Sequence, residues 1–420
     1  MKQKTVIIIG AGFGGLAAAK VFQNHKEFKI ILIDRNNYHL FQPLLYQVAT
    51  AALSPADIAV PIRTVFRNRK NVQVYMQEVV DINTVSKTVI TDQNSFSYDY
   101  LILAPGSKHT YFGNDQWERF APGLKTLDDA LTIRERILRS LESAENEQSA
   151  TARAPFLTYV VIGGGPTGVE MSAAIAEIVS KSIRGEYRNI RREDTRVLLV
   201  EAGPRILTAY SPELSHKALR DLKQLGVTVL LNTRVESIYH NVVTTSAGEF
   251  SSENIIWAAG NTASPLLSKL STHLDRSNRA VVTHHLTLPD HDTVYVIGDA
   301  AVISGNPLPG VAQVALQGGI YAANSIIQRE QGISPEPFAY NDKGNMATIG
   351  RYKAIAEVFG LKLSGYAAWL LWSLIHVAYL INFRNRFRVM IEWIWNYFTF
   401  QRGIRLITGR FLKKERHQSP

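Results

Sequence analysis

Two glycine-rich motifs, each placed directly after a β-branched apolar run, constrain the fold of this chain more than any other feature. Residues 5–9 are Thr-Val-Ile-Ile-Ile, and residues 10–15 that follow are Gly-Ala-Gly-Phe-Gly-Gly. The pattern recurs at residues 158–162 and 163–168, where the motif is Gly-Gly-Gly-Pro-Thr-Gly. A buried strand, G-x-G-x-x-G and a helix in that order form the phosphate-binding turn of a Rossmann-like fold. The chain is therefore predicted to be an α/β protein with two dinucleotide-binding folds.

Each glycine of the first motif has a separate physical role. Gly10 permits the tight turn, Gly12 lets the backbone approach a pyrophosphate, and Gly15 lets the helix pack close to the strand. The positive end of the helix dipole then attracts the phosphate charge. The next predicted strand ends in Asp34, 24 positions after Gly10, a spacing that suits a carboxylate accepting hydrogen bonds from an adenosine ribose.

The second motif has its own acidic strand end, but at a wider spacing. The strand over residues 196–200 ends in Glu201, 38 positions after Gly163, whereas about 20 is usual. The excess lies in the charged stretch 181–195, which we interpret as a helix extension or an excursion outside the fold. A carboxylate at Glu201 accepts from a ribose 2′-hydroxyl and repels a 2′-phosphate, so it favours NADH over NADPH.

Three further predicted strands are followed closely by glycine. Residues 100–104 and 255–259 are matching apolar runs followed by Gly106 and Gly260, and the run 293–297 ends in Gly298 and Asp299. This arrangement resembles the flavoproteins with two dinucleotide-binding domains, the glutathione-reductase-like superfamily. In that family the first motif binds FAD, the second binds NAD(P)H, and the Gly-Asp pair contacts the FAD ribitol and pyrophosphate. Taken alone, Gly298-Asp299 would indicate only a strand-end turn with a helix N-cap.

The absence of cysteine selects among the members of that superfamily. With no Cys, the chain cannot hold a disulfide, a thiolate zinc site, a Cys-ligated iron–sulfur cluster or a redox-active dithiol. Thiol-based reductases and sulfide-oxidising relatives are therefore excluded. Hydride transfer from a nicotinamide to flavin, and onward transfer to an acceptor, needs no protein thiol. The Lys and His residues show no metal-ligand spacing, and no metal site is predicted.

Four segments carry a closer resemblance. Residues 37–50, 163–170, 312–318 and 384–386 resemble the type II NADH:quinone oxidoreductases, and the similarity extends over nearly the whole chain. The resemblance implies a non-proton-pumping respiratory enzyme with non-covalent FAD as its only redox group. NADH would be its substrate, and two electrons would pass to a membrane quinone. A soluble flavoprotein with a non-quinone acceptor and a slowly turning redox-sensing flavoprotein are the alternatives.

Three side chains are the candidates for catalysis. Gln313 and Gln317 are four residues apart and share a helix face among small neighbours, so their amides suit a quinone carbonyl or the flavin edge. The alternative is a solvent-facing polar side of a helix. Glu170 follows the second motif, in the predicted first turn of its helix. The resemblance places it near flavin and nicotinamide, for proton relay or nucleotide positioning, whereas the alternative is a simple interaction with the helix dipole.

The resemblance and the motifs together predict three sets of binding residues. Those expected at FAD are Gly10, Gly12, Phe13, Gly14, Gly15, Asp34, Arg35, Pro43, Ala104, Gly106, Gly298, Asp299, Ala312 and Gln313. Those expected at NADH are Gly163, Gly165, Pro166, Thr167, Gly168, Glu170, Glu201, Ala259 and Gly260. Those expected at quinone are Gln47, Gln313, Gln317 and His376, although a buried histidine with satisfied hydrogen bonds is the commoner role for the last.

The C-terminal segment concentrates charge and tryptophan. From Arg351 to Pro420 the chain has 12 basic and 3 acidic residues, and it holds four of the six tryptophans. Basic residues interleaved with Trp and aliphatic side chains favour an anionic lipid surface over nucleic acid. The apolar run 367–381 contains only Ser373 and His376 as polar residues and is shorter than the 20 or so residues that span a bilayer. We expect a helix that lies in the interface or packs at the base of the enzyme.

The following helix, predicted over residues 385–400, is amphipathic. Its polar face has Asn385, Arg388, Glu392 and Asn396, and its apolar face has Phe387, Met390, Ile391, Ile394 and Phe398. Such a helix can bury its apolar side among lipid headgroups, or alternatively in a dimer or a protein core.

These patterns predict a division into three regions. Residues 1–122 and 280–340 would form a discontinuous FAD-binding domain, residues 123–279 an NADH-binding domain, and residues 341–420 a membrane-anchoring segment. Lys2 and Lys4 lead directly into the first strand, so we expect no signal peptide and no export. The resemblance and the basic, tryptophan-rich C-terminal segment imply a peripheral location on the cytoplasmic side of the cell inner membrane. The identity of the quinone and a homodimeric state are left open.

Overall fold

In a computed structural model the chain is described for residues 3–399 and 405–407. The chain divides into two compact units. The first comprises Met1–Phe41, Ala59–Thr110 and Gly260–Lys343, and the second comprises Gln42–Ile58, Tyr111–Ala259 and Gly344–Pro420, each within the described residues.

The elements alternate between strand and helix through most of the chain. In chain order the strands are β1 Lys4–Ile9, β2 Phe28–Asp34, β3 Tyr38–Leu40, β4 Ala59–Pro61, β5 Val72–Met76, β6 Val79–Asn83, β7 Thr88–Thr91, β8 Ser95–Ser97, β9 Tyr100–Leu103, β10 Ser107–His109, β11 Thr158–Ile162, β12 Arg196–Val200, β13 Val227–Leu230, β14 Val235–Tyr239, β15 Val242–Thr245, β16 Gly248–Ser251, β17 Asn254–Trp257, β18 Asn261–Ala263, β19 Ala280–Val282, β20 Thr287–Leu288, β21 His291–Val296, β22 Ala301–Ile303, β23 Asn345–Thr348, β24 Ala354–Val358 and β25 Leu361–Gly365. The α-helices are α1 Phe13–Phe22, α2 Leu45–Ala49, α3 Pro55–Ile58, α4 Ile62–Val65, α5 Leu127–Asn146, α6 Ala150–Arg153, α7 Pro166–Glu186, α8 Pro212–Gln224, α9 Ala312–Glu330, α10 Tyr366–Tyr379 and α11 Phe383–Thr399.

The first unit is built on a six-stranded sheet in the order β20-β21-β9-β1-β2-β5. Strand β1 pairs in parallel with both β2 and β9. Its residues Val6, Ile7 and Ile8 are fully buried, as expected for a strand covered on both faces. Helices α1 and α9 pack closely against each other, because Gly319 of α9 lies against the backbone of Gly14 in α1. The predicted α/β class is confirmed.

The second unit has a parallel sheet of its own, in the order β13-β12-β11-β17. Strand β11 pairs with β12 and β17 in the arrangement that β1 makes with β2 and β9. Strands β14, β15 and β16 form a separate antiparallel sheet in the same unit. The wide spacing between the second glycine motif and Glu201 has a simple cause, since α7 continues to Glu186 before β12 begins.

The polypeptide passes from the first unit to the second after Thr110 and returns to the first after Ala259. The sequence prediction placed the corresponding domain boundaries at 122 and 279. Strand β10 pairs antiparallel with β18, and this pairing retains residues 261–263 in the first unit. Tyr111 and Trp117 instead pack on Trp257 in the core of the second unit, with ring centroids 4.9 and 5.7 Å apart. Residues 42–58 also belong to the second unit.

The C-terminal segment is part of the second unit. Strands β23, β24 and β25 form an antiparallel sheet, and Lys353, which lies between the first two, makes an ion pair of 2.7 Å with the largely buried Asp221 of α8. The backbone N–H of Ser211 donates to the carboxylate of Glu357 at 3.1 Å. These contacts join the segment to the parallel-sheet fold that precedes it.

Helix α11 has one face on the protein and one face outside it. Asn385 and Val389 are buried, and the Asn385 amide donates to the carbonyl of Ala56 at 3.2 Å. Phe387 and Ile391 on the other side are 50% and 46% exposed. Within the described residues, no helix is long and apolar enough to cross a membrane. Of the predicted faces, the side chains of Asn396 and Phe398, and residues 400–404 and 408–420 of the anchoring segment, lie outside what the structure describes.

Two adjacent glycines of α9 provide a test of the α1–α9 packing. A Cβ at Gly319 would collide with the carbonyl oxygen of Gly14, whereas a Cβ at Gly318 meets Leu286 at 3.5 Å, an ordinary contact. We expect Gly319→Ala to lower the free energy of unfolding by about 1–3 kcal/mol, because backbone must move. Gly318→Ala should raise it by up to about 1 kcal/mol through helix propensity. Chemical denaturation followed by circular dichroism measures both, and equal effects would contradict the close packing.

Candidate active site

The first glycine loop has the geometry of a phosphate-binding turn. Gly10 has φ +93°, a conformation that L side chains rarely adopt, and a Cβ at Gly15 would collide with the Gly10 carbonyl. A Cβ at Gly12 would meet nothing within 4 Å, so this side of the loop is open to a ligand. One Asp34 carboxylate oxygen accepts from the N–H of Ala11 at 2.7 Å, which fixes the acid beside the loop. Burial raises the pKa of Asp34, although hydrogen bonds from backbone N–H groups oppose the effect.

The second glycine loop repeats this arrangement in the second unit. Gly163 has φ +111°, a Cβ at Gly168 would collide with the Gly163 carbonyl, and Gly165 is open. One Glu201 carboxylate oxygen accepts from the N–H of Gly164 at 2.6 Å, and the other accepts from the N–H of Gly203 at 2.6 Å. In each unit, therefore, the second residue of the glycine motif donates to the acid at the end of the neighbouring strand.

The Gly-Asp pair lines a cavity of about 320 Å³ in the first unit. Gly298 has φ +67°, and it opens a 3-10 turn that leads into β22. Asp299 accepts a hydrogen bond from the hydroxyl of Ser107 at 2.6 Å. The alternative role as an N-cap does not fit, because the next α-helix, α9, begins only at Ala312. Ser107 was not predicted from the sequence, since nothing in the sequence pattern links it to Asp299.

Histidine 39 is a further side chain that the sequence prediction did not select individually. It is buried, and its ring nitrogen Nδ1 lies 2.8 Å from the carbonyl of Ala11 in the first glycine loop. Burial lowers the pKa of His39 to about 4, so the ring is neutral and Nδ1 carries the hydrogen that it donates. Its Nε2 has no hydrogen-bond partner among the described residues and is available as an acceptor. An orphaned buried acceptor beside the open loop fits a ligand with hydroxyl donors.

The remaining first-unit candidates occupy defined positions. Phe13 begins α1, with its ring edge-on to His39 at 5.3 Å between centroids. Arg35 follows β2, and Ala104 and Gly106 follow β9. Gln313 and Gln317 lie on the first turns of α9, half-buried. Both ends of the Gln317 amide are engaged with the backbone of Asn341 at 3.0 Å, which holds the amide in one orientation.

A second cavity, of about 90 Å³, lies within the second unit. It is enclosed by α2, α7, the end of β23 and the two C-terminal helices. Its lining is mixed in character, with one carboxyl pair, one arginine, several hydroxyl groups and three tryptophans, as follows: Tyr46, Gln47, Thr50, Ala52, Glu170, Ala174, Glu177, Thr348, Gly350, Arg351, Trp369, Trp372, Ser373 and Trp393.

Glu170 is a buried titratable group that lines this second cavity. Burial raises the pKa of Glu170 to about 8, although the backbone and side-chain groups of Thr348 donate to its carboxylate at 3.2 and 3.5 Å and oppose the rise. The carboxyl therefore holds a proton at neutral pH. The predicted place of Glu170 in the first helical turn was wrong, since α7 begins at Pro166 and has no acidic residue in that turn. An interaction with the helix dipole would also lower the pKa rather than raise it.

The other second-unit candidates differ in their access to this cavity. Gln47 lines it, with its carbonyl accepting from Trp393 and its amide N–H donating to Tyr46. His376 is stacked on Trp372 at 4.1 Å between centroids, and its Nδ1 lies 2.7 Å from the Trp372 carbonyl. Burial lowers the pKa of His376 to about 4, so its ring is neutral. Pro43 lies in a 3-10 helix that leads into α2.

The NADH candidates cluster at the sheet edge of the second unit. Pro166 and Thr167 begin α7 beside the glycine loop, and the Ala258 carbonyl that precedes Ala259 lies against Gly163. Gly260 has φ +73° and does not belong to the second unit, because it begins the third segment of the first unit, Gly260–Lys343.

Comparison with known proteins gives a consistent picture. Residues 4–319 match the family model of the pyridine nucleotide-disulphide oxidoreductases, and residues 343–402 match that of the NDH2 C-terminal domain. The chain is 40% identical to the type II NADH:quinone oxidoreductase Ndh of Mycobacterium tuberculosis, over 97% of this chain and 91% of that protein. It is 28% identical to the type II NADH:quinone oxidoreductase of Haemophilus influenzae, over 84% and 87%. A solved structure of NDH2 from Plasmodium falciparum in complex with NADH superposes with a TM-score of 0.87 at 22% identity, covering 97% of this chain and all of that one.

The Glu201 carboxylate gives a prediction about nucleotide preference. Glu201→Gln removes the negative charge beside the second glycine loop, so a 2′-phosphate is no longer repelled. We expect the ratio of the dissociation constants for NADPH and NADH to fall about tenfold, measured by calorimetric titration. Glu193→Gln removes an exposed acid of the same unit and should leave the ratio unchanged. An unchanged ratio in the Glu201 variant would contradict the assignment.

Proposed function

The chain belongs to the type II NADH:quinone oxidoreductases, non-proton-pumping flavoenzymes that use FAD and oxidise NADH, and we propose which of its residues perform each part of that reaction. The observation that carries the proposal is the pair of glycine loops, each closed by its own strand-end acid, together with a protonated carboxyl in a separate cavity. Two nucleotides and one proton source are what the reaction requires.

We assign FAD to the first unit. Gly10, Gly12 and Gly15 would hold its pyrophosphate, Asp34 its adenosine ribose, and Asp299 its ribitol and pyrophosphate. The open side of the loop, the cavity beside Asp299 and the orphaned His39 nitrogen all suit a polyhydroxylated ligand. When bound, FAD accepts a hydride and passes on electrons. Gln313 would supply its amide group to the flavin edge, and Gln317, whose amide is held by Asn341, would supply its remaining N–H to a quinone carbonyl.

We assign the nicotinamide nucleotide to the second unit, where Gly163, Gly165 and Gly168 would hold its pyrophosphate. Glu201 would accept hydrogen bonds from the ribose hydroxyls while it remains bound to the two backbone N–H groups. This arrangement leaves no room for a 2′-phosphate without bringing two negative charges together.

Glu170 would supply a proton for the reduction of the quinone. The net reaction, NADH + H⁺ + quinone → NAD⁺ + quinol, consumes one proton beyond the hydride that NADH supplies, and this is the proton that Glu170 would donate to a quinone oxygen. A carboxyl with a pKa of about 8 is protonated at neutral pH and acidic enough to donate. Gln47 lines the same cavity and is the proposed quinone contact of this unit, with His376 as a more remote candidate.

The C-terminal helices would hold the enzyme on a bilayer surface. The exposed side of α11 has Phe387, Met390, Ile391 and Ile394, and it is flanked by Arg384 and Arg386. Apolar side chains beside arginines fit the headgroup region of an anionic membrane. We propose that the enzyme is peripheral, on the cytoplasmic side of the cell inner membrane. Burial of the same face in a homodimer is the competing arrangement.

Stopped-flow spectroscopy tests the reaction as two half-reactions. Rapid mixing with NADH should bleach the flavin absorbance, and mixing of the reduced enzyme with a short-chain quinone should restore it. Bleaching without reoxidation by any quinone would show a flavoprotein with another acceptor and would overturn the function.

Replacement of Glu170 predicts a change in pH dependence. In the parent enzyme the rate of flavin reoxidation by quinone should fall as the pH rises through about 8, because the donor proton is lost. Glu170→Gln should slow this step roughly 100-fold and remove that pH-dependent limb. Flavin reduction by NADH in the same variant is the control for folding and nucleotide binding. A variant that retains the limb would place the titrating group elsewhere.

The membrane assignment predicts the behaviour of a surface variant. Phe387→Ser combined with Ile391→Ser should weaken binding to anionic liposomes about tenfold or more, because each buried apolar side chain contributes on the order of 2 kcal/mol. Co-sedimentation measures the binding. Val85→Ser, a substitution at an exposed apolar residue of the first unit, should bind as the parent does. Unchanged liposome binding with loss of a dimer in analytical ultracentrifugation would show instead that this face is a subunit contact.

A further inference from the structure

A continuous chain of hydrogen bonds joins the C-terminal helix α11 to Glu170. The indole N–H of Trp393 donates to the Gln47 carbonyl at 2.8 Å, and the Gln47 amide donates to the Tyr46 hydroxyl at 3.0 Å. The Tyr46 hydroxyl lies 2.9 Å from that of Thr348, which lies 3.5 Å from the Glu170 carboxylate. Apart from Glu170, the hydrogen-bond chain has four residues, and these come from three elements that are distant in sequence, α2, β23 and α11.

The first bond determines the direction of all the others. An indole N–H can only donate, so Trp393 fixes the Gln47 side chain with its oxygen toward α11 and its nitrogen toward Tyr46. The phenolic oxygen of Tyr46 then accepts, and its hydrogen is free to point at Thr348. Burial raises the pKa of Tyr46, so its hydroxyl keeps that hydrogen. The Thr348 hydroxyl is left to donate to Glu170. Every donor in this chain of hydrogen bonds therefore points toward the carboxylate.

Such an orientation matters at the moment when Glu170 loses its proton. The proton would move from the carboxyl to a quinone oxygen, and a buried carboxylate would remain. A buried carboxylate without donors is costly, whereas one that accepts hydrogen bonds is stabilised. Aligned hydroxyl groups also polarise one another, so each donor strengthens the next.

We propose that Thr348 and Tyr46 are positioning residues that stabilise the anion of Glu170, and that Trp393 sets the direction of their hydrogen bonds through Gln47. This proposal rests on the proposed proton transfer from Glu170 to the quinone. The hydrogen-bond donors would stabilise the carboxylate and so favour release of the proton, whereas burial of Glu170 in the cavity favours the protonated carboxyl. The chain of hydrogen bonds would thereby make the acidity of Glu170 depend on the contact between Trp393 of α11 and Gln47 of α2.

Other titratable groups also surround Glu170 and must remain constant in a test. Glu177 lies on α7 and Arg351 follows β23, and both line the same cavity. Burial raises the pKa of Tyr210, which precedes α8, and the nearby charge of Glu170 adds to the rise. None of these three is altered in the variants below, so their contributions cancel in the comparison.

The test uses the FAD-bound enzyme. In separate variants, Thr348, Tyr46 and Trp393 of the hydrogen-bond chain are each replaced by a residue of similar shape. Thr348→Val removes the hydroxyl donor and keeps the backbone N–H, Thr348→Ser restores a hydroxyl, and Tyr46→Phe and Trp393→Phe remove the donors behind it. Tyr159→Phe is the matched control, because this buried hydroxyl has no hydrogen-bond partner among the described residues. Two quantities are measured against pH: the rate of flavin reoxidation by a short-chain quinone, and the infrared carbonyl band that Glu170→Gln abolishes.

Loss of a donor should make Glu170 a weaker acid. We expect Thr348→Val to move the pH midpoint of the infrared band upward by up to about one unit, since the hydroxyl donor to the anion is lost while the backbone N–H donor at 3.2 Å remains. Tyr46→Phe should move it by less and Trp393→Phe by least, in the same direction. The reoxidation limb should shift with the band and slow at pH 7, whereas Thr348→Ser and Tyr159→Phe should match the parent.

Three results would overturn the proposal. The first is an unchanged midpoint in Thr348→Val, and the second is a slower reaction without a shifted midpoint, which would show a purely structural effect. The third is a shift in Tyr159→Phe as large as that in Tyr46→Phe. The infrared titration needs no quinone. It therefore tests the effect of the hydrogen-bond chain on the acidity of Glu170 even if no quinone reoxidises the parent flavin. The proposed function would then fail separately.

Discussion

The hydrogen bond between a glycine-loop N–H and a strand-end carboxylate is the interaction on which both proposed nucleotide sites depend. Ala11 donates to Asp34 in one unit and Gly164 donates to Glu201 in the other. The bond is charge-assisted, so it is short, and it fixes each acid in the position from which its remaining lone pairs can bind a ribose. Because the donor belongs to the phosphate loop itself, one interaction aligns the two parts of the site that recognise phosphate and sugar.

Much of this arrangement follows from local pattern and could be predicted from the sequence. A β-branched run, three glycines and a terminal acid each have short-range causes, namely strand propensity, positive φ and close backbone approach. Strands β11 and β12 therefore lie where they were predicted, at residues 158–162 and 196–200. The longer spacing before Glu201 had two interpretations, and the continuation of α7 to Glu186 selects the helix extension.

The unpredicted parts depend on contacts between residues that are distant in sequence. Thr348 lies 178 residues from Glu170 and Trp393 lies 346 residues from Gln47, and no periodicity links such pairs. The pairing of β10 with β18, which keeps residues 261–263 in the first unit, is likewise not encoded in any local motif. Gln47 was selected for a quinone contact, yet both ends of its amide are already bonded within the protein. Sequence patterns identify residue types suited to a site, whereas packing determines which of their atoms remain available.

The two faces of α11 explain why an amphipathic surface helix carries a tryptophan on its protein side. A helix held only by lipid would need no specific polar contact with the protein, yet Asn385 and Trp393 both donate to groups of the second unit. Each of these bonds has a defined direction, which apolar burial alone cannot supply. The apolar face would thus determine where the helix lies, and the polar face determines its orientation. The Trp393 bond also continues through Gln47, Tyr46 and Thr348 to Glu170, so the orientation of α11 and the hydrogen bonds at that carboxyl belong to one network.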